Sequence, residues 1–185
     1  MRLFIAINFP ALLRTNLYEA TKPLRDAAPT ARWVDGDRLH LTIKFLGEQS
    51  ETVVAPLVDA LRAVGNRFGP IALELGGLGA FPNLRRPRVV WMGVKGDPKL
   101  ELLHHDVETA CGELGFEVEG RPFRPHLTLA RAGDPRIDAM ALARVAKTVD
   151  FSAEILIDSL DVMVSEHFDG KPRYRLLGSA TLRRE

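Results

Sequence analysis

One cysteine, Cys111, stands among 185 residues, which excludes an internal disulfide and points to a reducing compartment. Long apolar runs are also missing, since no window approaches the roughly 18 consecutive apolar residues of a membrane span. The opening "MRLFIAINFP" has one basic residue and an apolar stretch broken at Asn8 and Pro10, too short for the apolar region and cleavage site of a signal peptide. A cytoplasmic protein away from membranes is the expectation. Neither charge dominates: 25 Lys and Arg face 24 Asp and Glu, for a net charge of +1. No long basic stripe is there to track a nucleic-acid backbone, so an RNA partner would be held by a short piece or an end. What the chain does have is enough apolar material, 46% of its residues, for one globular domain or two small lobes sharing a core.

Periodicity gives the organisation. Residues 2–9 alternate as a strand, with Leu3, Ile5 and Ile7 on one side and Phe4, Ala6 and Asn8 on the other. Pro10 opens a helix to about Ala28 that Pro23 kinks or ends early. "ARWV" and "LHLTIKFLG" read as strands joined by the turn "DGDR". Ser50 is an N-cap for a helix through about Phe68. "PIALELGGL" and "RPRVVWMGV" are strands separated by a Pro- and Arg-rich loop, and a helix runs from Asp97-Pro98 to Gly115. "FRPHLTLAR" is a strand, Asp134-Pro135 starts a helix to about Thr148, and "AEILIDSLDVMVSE" and "RYRLLGSATL" are strand-like. Many strands on short connections with few helices argue for an α+β fold with largely antiparallel sheets.

The tripeptide His-Leu-Thr occurs twice, at His40 and at His126, where chance pairing of this composition predicts roughly 0.03 copies, so a duplicated supersecondary unit is the better explanation. In a strand, His40 and Thr42 share one face while Leu41 and Ile43 share the other, and His126 and Thr128 stand in the same relation to Leu127 and Leu129. Each strand thus buries an apolar face and presents an imidazole beside a hydroxyl. If a pseudo-twofold axis relates the halves, both pairs converge on one cleft. Two imidazoles with an ordinary pKa of about 6.5 can serve as base in one copy and acid in the other near neutral pH. Hydroxyls donate to non-bridging phosphate oxygens without adding charge. The set suits in-line attack of water on a phosphodiester. It needs no metal and no other cofactor, and one good nitrogen ligand per motif is too few for zinc.

"HLTI" and "HLTL" match both His-x-Thr-x motifs of the two-histidine (2H) phosphoesterases. Together with "MRLFIAINFP", "HLTIKFLGE", "PRVVWMGV", "PFRPHLTLAR" and the late "YRLL", the chain resembles the bacterial RNA 2′,3′-cyclic phosphodiesterases, also called 2′-5′ RNA ligases. The resemblance implies a single domain over residues 1–185, made of two interlocked lobes related by a pseudo-twofold. Sheets would flank a central groove, with helices outside. It implies hydrolysis of a terminal 2′,3′-cyclic phosphate to a 2′-phosphate, with His40 the proton donor to the 3′-oxygen, His126 the proton acceptor from water, and Thr42 and Thr128 binding phosphate. RNA 3′ ends or small cyclic nucleotides would be the substrates of a monomer without an obligate protein partner, in RNA processing. Ligation to a 2′-5′ linkage is the reverse chemistry, and a non-turning-over module for nucleotides or RNA ends is the reading from another class.

Around the motifs, Lys44 is in phase with Thr42 and is expected to reach phosphate. Arg131 aligns with an arginine of the resembled family, although simple alternation turns it away from His126 unless the strand ends or bulges. Phe9, Trp33, Phe81 and Phe123 are candidate platforms for a base. His104 and His105 read as helix surface or boundary, His167 has no partner that sequence identifies, and Cys111 reads as packing.

Overall fold

The computed structural model describes residues 1–134 and 136–183. Among these residues nine strands and five α-helices follow one another as β1 (Arg2–Asn8), α1 (Ala11–Ala20), α2 (Lys22–Ala27), β2 (Arg32–Trp33), β3 (His40–Glu48), α3 (Val54–Gly65), β4 (Ile71–Phe81), β5 (Val89–Gly96), α4 (Lys99–Glu113), β6 (His126–Arg131), α5 (Ala139–Ala146), β7 (Ser152–Ile157), β8 (Ser159–Phe168) and β9 (Lys171–Thr181). Among the described residues no helix is long and apolar enough to cross a membrane.

Local chemistry sets the boundaries. The helix after Pro10 breaks at Thr21, whose hydroxyl donates to the Leu17 carbonyl at 2.8 Å, and α2 starts anew around Pro23. The Ser50 hydroxyl accepts from the Thr52 N–H, capping a 3₁₀ turn that leads into α3. Gly115 ends α4 with a φ of 86°, a conformation only glycine takes without strain. The last helix begins later than its sequence indicates. Asp138, not Asp134, is the N-cap, accepting from Ala141 N–H at 2.9 Å, and Pro135 lies outside the described residues.

Every strand pairing is antiparallel. The order β7-β4-β5-β6-β3-β1-β8-β9 reads alike from its middle outward, four strands to each side, with the two His-Leu-Thr strands β3 and β6 innermost. The short β2 does not form a hairpin with β3 as the turn "DGDR" suggests, but pairs with β6. Its Val34 N–H donates to the Leu129 carbonyl, so the second motif recruits it.

One face of the sheet is covered by the helices. α3 packs on β8 and β9, α4 on α3 and β3, and α2 on α5. Leu3, Ile5, Leu41, Leu57, Leu103, Val107, Leu127 and Leu142 all join one buried cluster there. Each fully buried leucine contributes about 1.5–3 kcal/mol relative to exposure. On the other face, Phe4, Ala6 and Met163 form a small separate cluster against Tyr174. That second face carries the site.

Candidate active site

Strands β3 and β6 meet at a single registered pair, Leu41 opposite Leu127. Both leucines are buried, at 0% and 1% exposure, so the residues flanking them turn to the opposite face. One step either way along an antiparallel pair sets His40 beside Thr128 and Thr42 beside His126. The doubled tripeptide is therefore one constellation: two imidazoles and two hydroxyls on one face, each imidazole next to the other strand's threonine.

The two rings are anchored alike. His40 Nδ1 lies 2.7 Å from the Arg38 carbonyl, and His126 Nδ1 lies 2.7 Å from the Arg124 carbonyl. A carbonyl oxygen only accepts, so each Nδ1 carries the hydrogen and each Nε2 is left as the exchangeable position. His40 Nε2 is 3.0 Å from the Thr42 hydroxyl. Burial pulls the His40 pKa below its usual 6.5, the Arg38 carbonyl bond opposes this, and the Arg38 charge adds to the lowering.

Aromatic rings flank both imidazoles. Phe4 and Tyr174 stand 5.1 and 5.4 Å from His40, centroid to centroid, while Phe81 and Trp91 stand 5.0 and 6.5 Å from His126. Of the four stacking candidates, Phe81 alone is beside an imidazole of the site. Phe9 is 4% exposed and belongs to the core. Trp33 packs on the same core and donates its indole N–H to the Ala28 carbonyl at 2.9 Å. Phe123 stacks on His104 at 4.0 Å and 9°, which explains both residues as packing partners near α4.

Two β-bulges decide the fate of the charged candidates. On β3, Ala6 faces Thr42 but Ile5 faces Lys44, so Ile43 is an extra residue. On β6, Trp91 faces Thr128 but Val90 faces Ala130, so Leu129 is the extra one. Each bulge reverses the alternation after the motif. Lys44 and Ala130 are buried, and Phe45 and Arg131 are exposed. The expectation that Lys44 reaches phosphate is thus overturned: its Nζ donates to Glu108 at 2.7 Å and to the Glu117 carbonyl at 2.7 Å, with 4% and 7% of the Lys44 and Glu108 side chains exposed. The same geometry returns Arg131 to the face of His126, where strict alternation would not have put it.

Sequence reasoning also missed a polar group beside His40. Asn8, opposite His40 across β1 and β3, donates to Asp161 at 2.7 Å. Asp161 is 7% exposed and accepts from Ser179 at 2.6 Å. The alternation of residues 2–9 already put Asn8 on this face. Its partners come from β8 and β9, which no local pattern couples to β1. Among the described residues no three His, Cys, Asp or Glu side chains are grouped to hold a metal ion.

Paired His-x-Thr strands at the centre of an antiparallel α+β sheet define the two-histidine phosphoesterase class. Within it, residues 14–167 match the model of the 2′-5′ RNA ligase superfamily, and the chain belongs to that family. A relative from Geobacillus stearothermophilus named RNA 2′,3′-cyclic phosphodiesterase is 32% identical over 180 residues, covering 95% of this chain and 57% of the relative. The chain thus spans just over half of that protein's length. A Thermus thermophilus relative of the same name is 35% identical, with 100% of this chain and 92% of the relative covered. The crystal structure of E. coli LigT complexed with 3′-AMP superposes with a TM-score of 0.74 at 27% identity, covering 99% of this chain and 98% of that one.

Proposed function

We propose that the chain, as one domain of two interlocked lobes, hydrolyses 2′,3′-cyclic phosphate ends of RNA, or the corresponding cyclic nucleotides, to 2′-phosphates. The Leu41–Leu127 pairing carries this reading, because it gathers two Nδ1-anchored imidazoles and two hydroxyls on one face. The names of the full-length relatives and the 3′-AMP complex of a similar protein support the substrate class. In the reaction, a water oxygen attacks phosphorus and gives its proton to His126 Nε2. The bond from phosphorus to the 3′-oxygen breaks, and His40 Nε2 protonates the departing oxygen. Thr42, Thr128 and Arg131 hold the non-bridging oxygens, where a hydroxyl or a guanidinium stabilises charge that grows in the transition state. Exchange with solvent then returns each imidazole to its starting form. Phe81 is the retained candidate for stacking a base, joined by Trp91 and Tyr174.

The deciding experiment incubates the protein with a 2′,3′-cyclic mononucleotide in the presence of EDTA and identifies the product. A 2′-phosphate formed at the same rate with and without chelator is expected. Binding without product would make the site a recognition module, and a 2′-5′-linked product appearing only with a 5′-hydroxyl acceptor would make ligation the forward reaction.

A further inference from the structure

Among the described residues, most of the exposed cations that form no ion pair come together in one place, while Arg124, Arg173 and Arg183 lack a partner outside that group. Arg38, Arg62, Arg67 and Arg175 each sit within 4 Å of an acidic side chain. Among the described residues, Arg32, Arg85, Arg86, Arg88, Arg144 and Lys147 are exposed and form no ion pair. They come from separate stretches of chain, and the fold brings these stretches together. Arg32 stands opposite Arg131, and Arg131 opposite Val89. The Arg88 carbonyl accepts from Ala132 and its N–H donates to the Phe81 carbonyl, both at 2.8 Å. The loop so closed leaves the site at Phe81, 5.0 Å from the His126 ring. Its tip meets α5 around a shallow hollow of about 580 Å³ lined by the apolar Leu84, Met140 and Ala143 and by the cationic Arg85, Arg144 and Lys147. Met140 is 81% exposed.

Like charges gathered without counter-charges repel one another, and the arrangement becomes favourable when a polyanion fills it. Apolar side chains interleaved with guanidinium and ammonium groups fit single-stranded nucleic acid in particular, since bases rest on the apolar atoms while phosphates meet the cations. The geometry points to a binding strip for the RNA strand upstream of the reacting terminus, running from His126 along the 82–88 loop to the hollow under α5. This inference rests on the proposed hydrolysis of cyclic phosphate ends. It adds the direction in which the strand leaves the site, over the second motif and not over Tyr174 and β9.

The test compares a 2′,3′-cyclic mononucleotide with a short oligoribonucleotide ending in the same cyclic nucleotide. The wild-type protein is set beside an Arg85→Gln/Arg86→Gln/Arg144→Gln/Lys147→Gln variant, an Arg62→Gln/Arg67→Gln control on and just after α3, and an Arg173→Gln variant on the Tyr174 side. The fourfold variant should raise KM for the oligonucleotide about tenfold with kcat little changed, and should flatten its salt dependence by about 0.7 in log–log slope for each phosphate no longer neutralised. Mononucleotide kcat/KM should hold in all variants. An oligonucleotide KM unmoved by the fourfold change but raised by Arg173→Gln would overturn the direction. Equal wild-type KM values for both substrates would leave the cations to another partner, such as an acidic protein, and overturn the strip while the site reading stands. Failure of the wild-type protein to cleave either substrate would remove both readings.

Discussion

His40 and His126 make the same hydrogen bond through Nδ1, to the carbonyl two residues earlier, so the different jobs proposed for them have to come from their surroundings and the substrate. His40→Ala and His126→Ala should each lower kcat/KM by about 10²–10⁴-fold, with the circular dichroism spectrum unchanged because Leu41 and Leu127 keep the apolar face intact. Thr42→Val and Thr128→Val should cost less, since each removes one neutral donor. Burial lowers the His40 pKa, so in the free enzyme the proton needed by the leaving oxygen is lost below pH 6.5. The alkaline limb of kcat/KM should begin there. In kcat, with an anionic ester bound beside the ring, the limb should move to higher pH, and a pH series of both parameters checks this shift. The limbs belong to the coupled pair, so His40→Ala is needed to assign one of them. The same lowering bears on stability, and His104, held low mainly by burial, shares it. Between their folded values and the unfolded 6.5, the unfolded chain binds protons that the folded chain refuses. Stability should therefore fall as pH drops through that window and be unaffected by these groups above it. Denaturant midpoints measured from pH 7.5 to 5 should show a shallower acid loss in His104→Gln than in wild type. At this scale the sequence was informative where a face is defined by alternation: His40 and Thr42 share one side of β3, and His126 and Thr128 one side of β6, while Asn8 reads only onto the Phe4 and Ala6 side of its own strand. The aromatics did not read out, because a ring in a strand or loop looks the same whether it packs inward, like Phe9, or beside an imidazole, like Trp91.

At the scale of the element, the two bulges are what the sequence hid. Ile43 and Leu129 are ordinary strand residues, and nothing in "HLTIK" or "HLTLA" announces that one position is unpaired; the partner strands β1 and β5 create the irregularity. Lys44 consequently serves α4 and not phosphate. Lys44→Ala should leave the buried Glu108 carboxylate without its cation, with only the Glu119 N–H at 3.1 Å and His104 Nε2 at 3.6 Å beside it, costing about 3–5 kcal/mol, while kcat/KM for a cyclic nucleotide changes little. Equilibrium unfolding of the single variant and of Lys44→Met/Glu108→Leu separates a broken pair from an absent one, and the double variant should recover most of the stability. Nearby Cys111, its thiol pushed up to about 11 mainly by burial, should resist alkylation at pH 8 until the protein unfolds. Gly79 shows a different constraint. It lies opposite Trp91 in the β4–β5 pairing, and a Cβ there would strike the indole ring. Gly79→Ala should displace Trp91 from beside His126, seen as a change in tryptophan emission together with a loss of kcat/KM of about ten- to a hundredfold. The helices themselves were legible from caps and breakers, as with Ser50, Pro23 and Gly115. The late start of α5 was not, because Asp134 and Asp138 are equally good caps by composition and only tertiary contacts choose between them.

For the whole molecule, fold class followed from the abundance of short strand patterns, but the strand order did not, because it joins β1 to β8 across almost the entire chain. Charge behaved similarly. A net charge of +1 and the lack of a basic run described the chain fairly as a string, yet Arg32, the 82–88 loop and α5 meet only after folding, so the local excess of cations was invisible to composition. The central seam has a mechanical consequence. β1 and β3 are registered at seven positions and β8 and β9 at ten, whereas β3 and β6 share one. A sheet so joined should be stiffer within each half than between them, with the buried Leu41–Leu127 contact as the pivot. The separation of the two Nε2 atoms would then be the softest coordinate of the site, and a phosphate gripped from both strands, as proposed, would supply the missing stiffness. Amide hydrogen exchange at residues 40–43 and 126–129 should accordingly slow on saturation with inorganic phosphate, while the β8–β9 ribbon, already braced along its length, exchanges as before.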